Sequence, residues 1–449
     1  MPDPSHCVAV IGGAVAGAEV AGVLAERGFE VVVFEQNSRP YGKIEDGLPR
    51  WHVELRRKEY ATIGAKLAQP GVEYVPLTGV GRDVGFAELA REWGFSGVVL
   101  ACGAWRDRPL PVEGADAWVG RGLVYQNPFI IWFNHATEAD YTGESFEPVD
   151  DVLVVGGGLA SIDVVKVLML ETTRARLAER GIDVPMVQLE VKGIPRTLAG
   201  HGLEWGDLGL AGCTLFYRRS ARDMPVVEAP EGATAERVEK VAGARVKVLD
   251  KAMEKYRFRF EALSAPDGLI LEGGRLVGLR FRRTRIENGR VKLLDETYER
   301  RGAYVISSIG SIPAPLEGIP MKGELYDFQD WDLGRLEGYP SVFAAGNVVT
   351  GKGNIVASRK HAAMVSEYVV EQFLGLGDGH AGEEAITDAA VRQARELAER
   401  VAEHLTACQP LAPAALDAVF ARVRQRQQAV GYGGDYPAWI ARVTPPDLE

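Results

Sequence analysis

The residue pattern that most clearly indicates chemistry is a glycine-rich turn near the start of the chain. An apolar run, 8–11, leads into Gly12, Ala14 and Gly17, and then into an Ala-rich stretch with helical spacing. Glycines in such a turn let backbone N–H groups approach a pyrophosphate at a helix N-terminus. The next apolar run ends at Glu35, at the distance where a carboxylate binds a ribose diol. The segment therefore predicts a dinucleotide site.

One position of this turn departs from the usual spacing of glycines. The middle glycine of G-x-G-x-x-G is replaced by Ala14, whose methyl group would crowd an approaching phosphate without excluding it. The strand-helix-strand context, with Glu35 at the right distance, favours a dinucleotide site over a purely structural turn.

The same pattern occurs again in the middle of the chain. The apolar run 152–155 ends in Gly156 and Gly158, and helical spacing follows through Leu159 and Ala160. A chance second copy in the correct strand-to-helix context is improbable. The doubling is more specific than either turn alone, and it predicts two dinucleotide sites in one chain.

The two copies differ in the residues that come after their second strand. Glu35 ends that strand in the first copy, whereas Arg218 and Arg219 come after the strand 213–217 in the second. A carboxylate holds a ribose 2′-OH, but paired guanidinium groups suit a 2′-phosphate through charge-assisted, forked hydrogen bonds. NADPH is therefore favoured over NADH, which stays an alternative. The other alternative is that both arginines merely face solvent.

Two further apolar runs end in small residues, which would let a strand end abut a bound cofactor. These small residues are Ala101, Gly103, Gly346 and Asn347. Gly353, Asn354 and Ile355 then open a predicted helix, whose N-terminus would direct partial positive charge at an electron-rich ring oxygen. A plain strand-to-helix turn is the alternative for this segment.

These turns require a parallel α/β scaffold. The alternation of apolar strands and helical stretches predicts two Rossmann-like dinucleotide-binding domains with a C-terminal helical extension. The expected ranges are 1–120 with 325–380 for the first domain, 121–150 for an interdomain linker, 151–324 for the second domain with an insertion at 171–211, and 381–449 for the extension.

Composition narrows the class of protein. A chain of 449 residues can form two or three domains, and its formal net charge of −11 argues against a general nucleic-acid surface. No stretch is long and apolar enough to span a bilayer, and no basic and apolar leader is visible, so a cytoplasmic location is expected. The 4 cysteines are far apart and form no C-x-x-C, so no metal, iron–sulfur or disulfide-redox site is encoded locally.

Taken together, residues 8–374 resemble the two-dinucleotide flavoprotein family. This family includes the glutamate synthase small subunit and the adrenodoxin-reductase-type ferredoxin–NADP reductases. The most specific motifs are 40–44 with 47–49, 80–84, 156–158 with Asp163, 217–219 with 223–225, and 307–310.

The resemblance implies that FAD occupies the first site and NADP the second. The positions implied for FAD are Gly12, Ala14, Gly17, Glu35, Gly42, Lys43, Val84, Ala101, Gly103, Gly346, Asn347, Gly353, Asn354 and Ile355. Those implied for NADP are Gly156, Gly158, Leu159, Ala160, Arg218 and Arg219. His52 resembles a histidine beside the flavin ring, and Glu228 an acid near the nicotinamide. For both, a catalytic role and a structural role stay open.

The resemblance implies hydride transfer from NADPH to FAD, followed by electron transfer to an iron–sulfur partner. Since no C-x-x-C lies beside the flavin, we expect electrons to leave directly from it. The acceptor is either a ferredoxin or a partner subunit of a redox complex, contacted through the insertion 171–211 or the C-terminal helices. A non-catalytic FAD-binding docking or regulatory subunit and a flavin monooxygenase are alternatives.

Two features depart from the family pattern. The late acid of wider flavoprotein families is Asn347 here, and the cysteine-rich extension that carries iron–sulfur clusters in glutamate synthase small subunits has no counterpart. The insertion and the helical extension are not generic either, which is why a particular partner is considered for them.

Replacing both Arg218 and Arg219 with Ala tests how the second site discriminates between nucleotides. Each charged hydrogen bond contributes about 1.5–3 kcal/mol, so we expect NADPH binding to weaken by roughly 2–4 kcal/mol while NADH binding changes little. Calorimetric titration of each nucleotide measures both values. An equal loss for both nucleotides would show that the pair does not bind the 2′-phosphate.

Overall fold

A computed structural model of the chain describes residues 5–139, 141–227, 232–331, 333–349, 370–372, 374–376 and 385–445. Two five-stranded parallel sheets dominate these residues, and each sheet is the centre of one domain. A three-stranded antiparallel sheet and the C-terminal helices complete the described part. None of its helices is long and apolar enough to cross a membrane.

The first sheet is parallel throughout. In spatial order its strands are Val342–Ala344, Gly97–Leu100, Cys7–Ile11, Glu30–Phe34 and Val72–Val75. The helices that follow in this domain are Val15–Glu26, Lys43–Asp46, Val53–Leu67 and Phe86–Arg91. Every residue of the central strand is buried, as expected where helices cover both faces of a parallel sheet. The glycine turn therefore leaves the carboxyl end of the central strand.

The second sheet repeats this arrangement. In spatial order its strands are Leu123–Tyr125, Val305–Ser308, Leu153–Gly156, Thr214–Phe216 and Arg259–Glu261. Its helices are Gln126–His135, Leu159–Ala178, Met186–Lys192, Ile194–Gly200 and Ala235–Tyr256. The antiparallel sheet consists of Ser264–Glu272, Arg275–Glu287 and Arg290–Arg301.

Short elements complete the two domains. The remaining strand pairs are Arg106–Asp107 with Ser311–Ile312, Met321–Lys322 with Leu325–Tyr326, and Phe328–Asp330 with Arg335–Leu336. Single 3-10 turns cover Ala115–Trp118, Trp205–Leu208, Ala221–Asp223 and Gly346–Val349.

The chain crosses between the domains twice, and the two crossings pair with each other. Arg106–Asp107 lies on the outward crossing and Ser311–Ile312 on the return, as an antiparallel ribbon in which Ser311 is opposite Asp107. This ribbon is called the hinge ribbon below.

The range 121–150, expected as an interdomain linker, differs in the structure. Its residues 123–125 form the edge strand of the second sheet, beside Val305–Ser308. The helix Gln126–His135 follows, and its Phe129 and Phe133 are buried in the core of the second domain. Phe129 and Phe133 are therefore core residues, because the helix buries them against the second sheet, whereas Tyr125 and Trp132 are half-buried.

The C-terminal extension packs on the first domain. Ala385–Thr406 lies along the first helix, and Pro413–Ala429 packs against the opposite face of the sheet. Side chains buried by these two helices are Ala394, Leu397, Ala398, Val401, Leu405, Leu416, Val419 and Val423. The apolar stripes of the extension therefore complete the core of their own chain.

The insertion 171–211 is likewise packed inward. Leu189, Ile194 and Leu198 of its helices are buried in the second core. Glu190 forms a fully buried ion pair with Lys166 at 2.9 Å and accepts a hydrogen bond from the Tyr256 hydroxyl at 2.8 Å. A buried ion pair persists only where further hydrogen bonds satisfy both charges, so this cluster fixes the position of the insertion.

His135 connects the domains through two carboxylates. One ring nitrogen lies 2.9 Å from Asp46 of the first domain and the other 2.6 Å from Glu138. Arg39 of the first domain also contacts Glu138, at 3.5 Å. Burial lowers the pKa of His135, but the hydrogen bonds and charges of Asp46 and Glu138 outweigh it and raise the pKa.

Replacing His135 with Gln tests whether this contact makes the stability of the protein depend on pH. Because the pKa in the folded state lies above the ordinary value of 6.5, the stabilisation is fully present below pH 6.5 and is lost as pH rises through the raised pKa. We expect His135→Gln to lower the free energy of unfolding by about 1–2 kcal/mol at about pH 5.5, and by less at about pH 8.5.

Urea denaturation at both pH values measures the difference. His201→Gln, at an exposed position, is the matched control. A loss that is the same at both pH values would contradict a charged His135.

Candidate functional site

A cavity of about 340 Å³ opens at the carboxyl edge of the first sheet. This edge is where ligands bind in open parallel α/β sheets. Of the residues predicted to bind FAD, those lining the cavity are Gly12, Ala14, Glu35, Gly42, Lys43, Ala101, Gly103, Gly346 and Asn347. Residues that are far apart in the sequence therefore meet around one space.

The glycine turn at the centre of this cavity is shaped by close packing. Gly12 has φ +97°, and a Cβ there would lie 2.7 Å from the Ala101 carbonyl oxygen. A Cβ on Gly17 would overlap the Gly12 carbonyl oxygen. Both positions therefore require glycine so that the helix Val15–Glu26 can begin directly at the strand end.

The methyl group of Ala14 packs against a second loop. Gly42 has φ +50°, and a Cβ there would lie 2.8 Å from the Ala14 Cβ. The same relation holds at Gly346, where a Cβ would lie 2.8 Å from that of Ala16. Ala14 occupies the position of the middle glycine of the usual motif. Its methyl group fits there because residue 42 is a glycine without a side chain.

Glu35 lies at one end of the cavity and is held by backbone groups. Its carboxylate accepts hydrogen bonds from the N–H groups of Gly13 and Asn37, both at 2.9 Å. Burial raises the pKa of Glu35 to about 7, and these hydrogen bonds act in the opposite direction. The carboxylate is thus fixed beside the glycine turn, where a ribose diol would be bound.

The other end of the cavity is more aromatic and basic. Lys43 and Trp105 line it, together with Gly103, Gly346 and Asn347. The Lys43 ammonium lies 5.4 Å from the centre of the Trp105 ring. Polar groups therefore mark both ends, with a helix N-terminus between them.

Some predicted FAD residues are placed elsewhere. Gly17 lies beneath Gly12 and does not line the cavity, and Val84 is buried in the core on one face of the first sheet. Gly353, Asn354 and Ile355 lie outside the described residues, as does Glu228.

His52 is fully buried and is not among the cavity-lining residues. It precedes the helix Val53–Leu67, and its ring centre lies 6.1 Å from that of Trp51. Trp51 packs against Phe133 of the second domain. A catalytic role for His52 therefore stays a prediction.

The second glycine turn has the same construction as the first. A Cβ on Gly156 would overlap the Ser308 carbonyl oxygen, and one on Gly157 would overlap the ring of Tyr217. A Cβ on Gly158 would have no other residue within 4 Å apart from its chain neighbours, and the helix that starts with Leu159 and Ala160 follows directly. The open space is therefore at the helix N-terminus, where a phosphate would bind.

Arg218 and Arg219 lie at the same sheet edge because strand Thr214–Phe216 pairs in parallel with Leu153–Gly156. The Arg219 side chain is already engaged: it donates to the Gly289 carbonyl at 2.8 Å and lies 3.9 Å from Asp223. The Arg218 side chain is exposed. The two arginines are thus not equivalent in this structure.

Several cavity residues had no signal in the sequence. They include Thr78, Gly79, Trp105, Leu316, Tyr326, Thr387 and Ala390. Thr387 and Ala390 come from the C-terminal extension, to which no chemistry was assigned. For Trp105 alone, the sequence offers an indirect signal: it directly follows the small residues that come after strand Gly97–Leu100.

The residues around the first cavity fit FAD. A carboxylate stands at the ribose end and a helix N-terminus at the pyrophosphate position. Gly12, Gly42 and Gly346 line the same cavity, and each is packed too closely against neighbouring protein atoms to carry a Cβ. In the described residues, no group of three or more His, Cys, Asp or Glu side chains is arranged to hold a metal ion.

The sequence of this chain is similar to those of known oxidoreductases. The glutamate synthase [NADPH] small chain of Mycobacterium tuberculosis is 25% identical over 382 residues, which cover 81% of this chain and 67% of that protein. The NADPH-Fe(3+) oxidoreductase subunit beta of Geobacter sulfurreducens is 31% identical over 174 residues, 38% of this chain and 24% of that protein. The predicted resemblance is confirmed. No protein-family model matches.

Structural comparison confirms the predicted fold class. FprA of Mycobacterium tuberculosis, solved in complex with NADPH, superimposes with a TM-score of 0.66 at 18% identity, over 94% of this chain and 91% of that one. At this identity the match concerns the fold, which is α/β with two Rossmann-like domains and C-terminal helices.

Gly158 offers a substitution that separates binding from folding. Its backbone is extended (φ −93°, ψ 178°) and has open space around it, so Gly158→Ala should leave the Tm unchanged. A methyl group there would meet a phosphate at the helix N-terminus, and we expect NADPH binding to weaken about tenfold, or about 1.4 kcal/mol.

Gly157→Ala is the matched comparison, because its methyl group would overlap the Tyr217 ring and lower the Tm. Differential scanning calorimetry and nucleotide titration give the two readouts. Unchanged NADPH binding in Gly158→Ala would exclude this turn as the pyrophosphate site.

Proposed function

We propose that this chain is an NADPH-dependent FAD oxidoreductase that passes electrons to an iron–sulfur partner. The observation that carries the proposal is the pair of glycine turns with opposite charges at their ribose ends, Glu35 in one and Arg218 with Arg219 in the other. The relatives are named for NADPH, in agreement with the predicted enzyme class and second cofactor.

Each site would hold its cofactor through a helix N-terminus and a side chain that follows the second strand of its turn. In the first domain, the N-terminus of Val15–Glu26 would face the FAD pyrophosphate and Glu35 its ribose. In the second, the N-terminus of Leu159–Ala178 would face the NADP pyrophosphate. Arg218 would bind the 2′-phosphate, while Arg219 positions the hairpin turn at Gly289.

When bound, the cofactors would supply the redox chemistry, namely hydride transfer from NADPH to FAD and single-electron transfer to the partner. The protein's part is to orient the two cofactors. Contacts between the domains would hold that orientation: Trp51 packs against Phe133, and His135 lies 2.9 Å from Asp46. Neither His52 nor Glu228 is required to transfer a proton in this hydride step.

The partner is proposed to be a subunit of a larger redox complex, with a free ferredoxin as the second candidate. The relatives' names, "small chain" and "subunit beta", support the subunit. The insertion supports it as well: Val187 and Val191, four residues apart on Met186–Lys192, are each 42% exposed. These two valines lie on one face of the helix, and this face is the surface of the insertion that we propose for the partner. The cytoplasmic location stays a prediction.

Anaerobic mixing with NADPH tests the proposed activity. The purified chain, loaded with FAD, should lose its flavin absorption band within seconds, and NADH should act more slowly because it lacks the 2′-phosphate that Arg218 would bind. Stopped-flow absorbance measures both rates. A bound flavin that stays oxidised would favour the non-catalytic docking subunit instead.

The choice of partner needs a separate measurement. Purification of the native protein at low salt should recover an iron–sulfur subunit, and that complex should reoxidise the flavin. Rapid reduction of ferredoxin by the chain alone, with no copurifying subunit, would contradict the proposal that the chain is a subunit of a complex. It would instead support a stand-alone ferredoxin reductase.

A further inference from the structure

We propose that Lys43 is a positioning residue whose ammonium group, anchored at the domain hinge, makes the bound flavin easier to reduce. The inference rests on the proposed function, because it assumes FAD in the first cavity. It concerns a property that neither the glycine turns nor the arginines control, namely the reduction potential of the flavin.

The sheet order shows which end of the cavity receives the flavin ring. Glu35 follows Glu30–Phe34 on one side of the central strand, so the adenosine half of FAD belongs there. The glycine turn at the central strand takes the pyrophosphate. The ring must therefore extend to the other side, beyond Gly97–Leu100, where Trp105 and Lys43 line the cavity.

The Lys43 ammonium is held by neutral groups. Its Nζ donates to Ser311 Oγ at 3.1 Å and to Asn127 Oδ1 at 3.3 Å, and it lies 5.4 Å from the Trp105 ring centre. Two neutral acceptors and an aromatic face stabilise a cation without neutralising its charge. The positive charge therefore remains available to a group in the cavity.

The anchor belongs to the hinge. Ser311 is on the hinge ribbon, and Asn127 lies in the first turn of the helix Gln126–His135 of the second domain. Asn127 also donates from its side chain to the Trp105 carbonyl at 2.9 Å and from its backbone N–H to the Asp107 carboxylate at 3.3 Å. Lys43 is thus a first-domain residue bonded to both the ribbon and the second domain, and its ammonium is fixed in place.

Asp107 is the nearby carboxylate that could weaken this effect. Burial raises the pKa of Asp107 to about 6, with the Asn127 N–H and Lys43 acting in the opposite direction. Burial lowers the pKa of Lys43, and Asp107 opposes that shift. Because the Asp107 carboxylate is directed to the Asn127 N–H, the Lys43 ammonium is bonded to Ser311 and Asn127 instead.

The electrostatic consequence follows from the charge balance of the reaction. Hydride transfer would move two electrons and one proton from NADPH to FAD. NADP⁺ would be the product, and the flavin would gain one unit of negative charge. A fixed cation at the ring end lowers the energy of that added negative charge. Lys43 itself forms and breaks no covalent bond.

Lys43→Gln is the main test, because it removes the charge and retains a hydrogen-bond donor, on a side chain one bond shorter than that of lysine. We expect a loss of about tenfold in the equilibrium constant between reduced and oxidised bound flavin, which is about 30 mV for a two-electron couple. Lys43→Arg should retain most of the potential, because it keeps the charge. Lys43→Met should lose at least as much as Lys43→Gln.

Photoreduction of the FAD-loaded full chain with a reference dye measures the potentials without using NADPH turnover. Lys240→Met, at an exposed position of the second domain, changes the net charge equally and should leave the potential unchanged. The inference would be overturned if the Lys43→Gln protein binds FAD and its bound flavin has the same reduction potential as in the wild-type protein.

The two proposals fail differently. Wild-type protein that binds FAD and is reduced by NADPH, with an unchanged potential in Lys43→Gln, would overturn the role of Lys43 alone. Wild-type protein that binds no FAD would overturn the proposed function and this inference with it. If Lys43→Met does not fold, Lys43→Gln and Lys43→Arg still decide between charge and packing.

Discussion

The structure depends on one close contact in each domain, between the glycine at the end of the central strand and the backbone at the end of a neighbouring strand. In the first domain Gly12 lies against the Ala101 carbonyl, which follows strand Gly97–Leu100, and in the second domain Gly156 lies against the Ser308 carbonyl of strand Val305–Ser308. A single Cβ at these places would overlap a backbone carbonyl oxygen. Because the approach is so close, the helix N-terminus lies at the carboxyl edge of the sheet. Glu35 in the first domain, and Arg218 with Arg219 in the second, lie at the same edge.

Small residues then set the distance of the surrounding loops. Ala14 packs against Gly42 and Ala16 against Gly346, so two loops close on the first turn at methyl-to-backbone distance. In the second domain Tyr217 lies directly on Gly157. Space remains in the cavity of the first domain and beside Gly158 in the second, where the two cofactors are expected.

Charged and polar side chains join the two domains. Asp46 and His135 meet across the interface, and Lys43 bonds to both the hinge ribbon and Asn127. Buried polar contacts have strict geometric requirements, so they define a particular arrangement of the domains rather than a general attraction. The potential of the flavin and the relative position of the two sites would then depend on the same small group of residues.

The sequence by itself determined the two glycine turns, the acid at Glu35 and the arginine pair, because strand, turn and helix are adjacent in the chain and their periodicity is local. Only the tertiary structure placed Thr387 in the first cavity, bonded Lys43 to Asn127, and buried Phe129 and Phe133 of the segment expected as a linker. These contacts join residues far apart in sequence, and no local pattern encodes which distant side chains meet. Packing of the whole chain decides them.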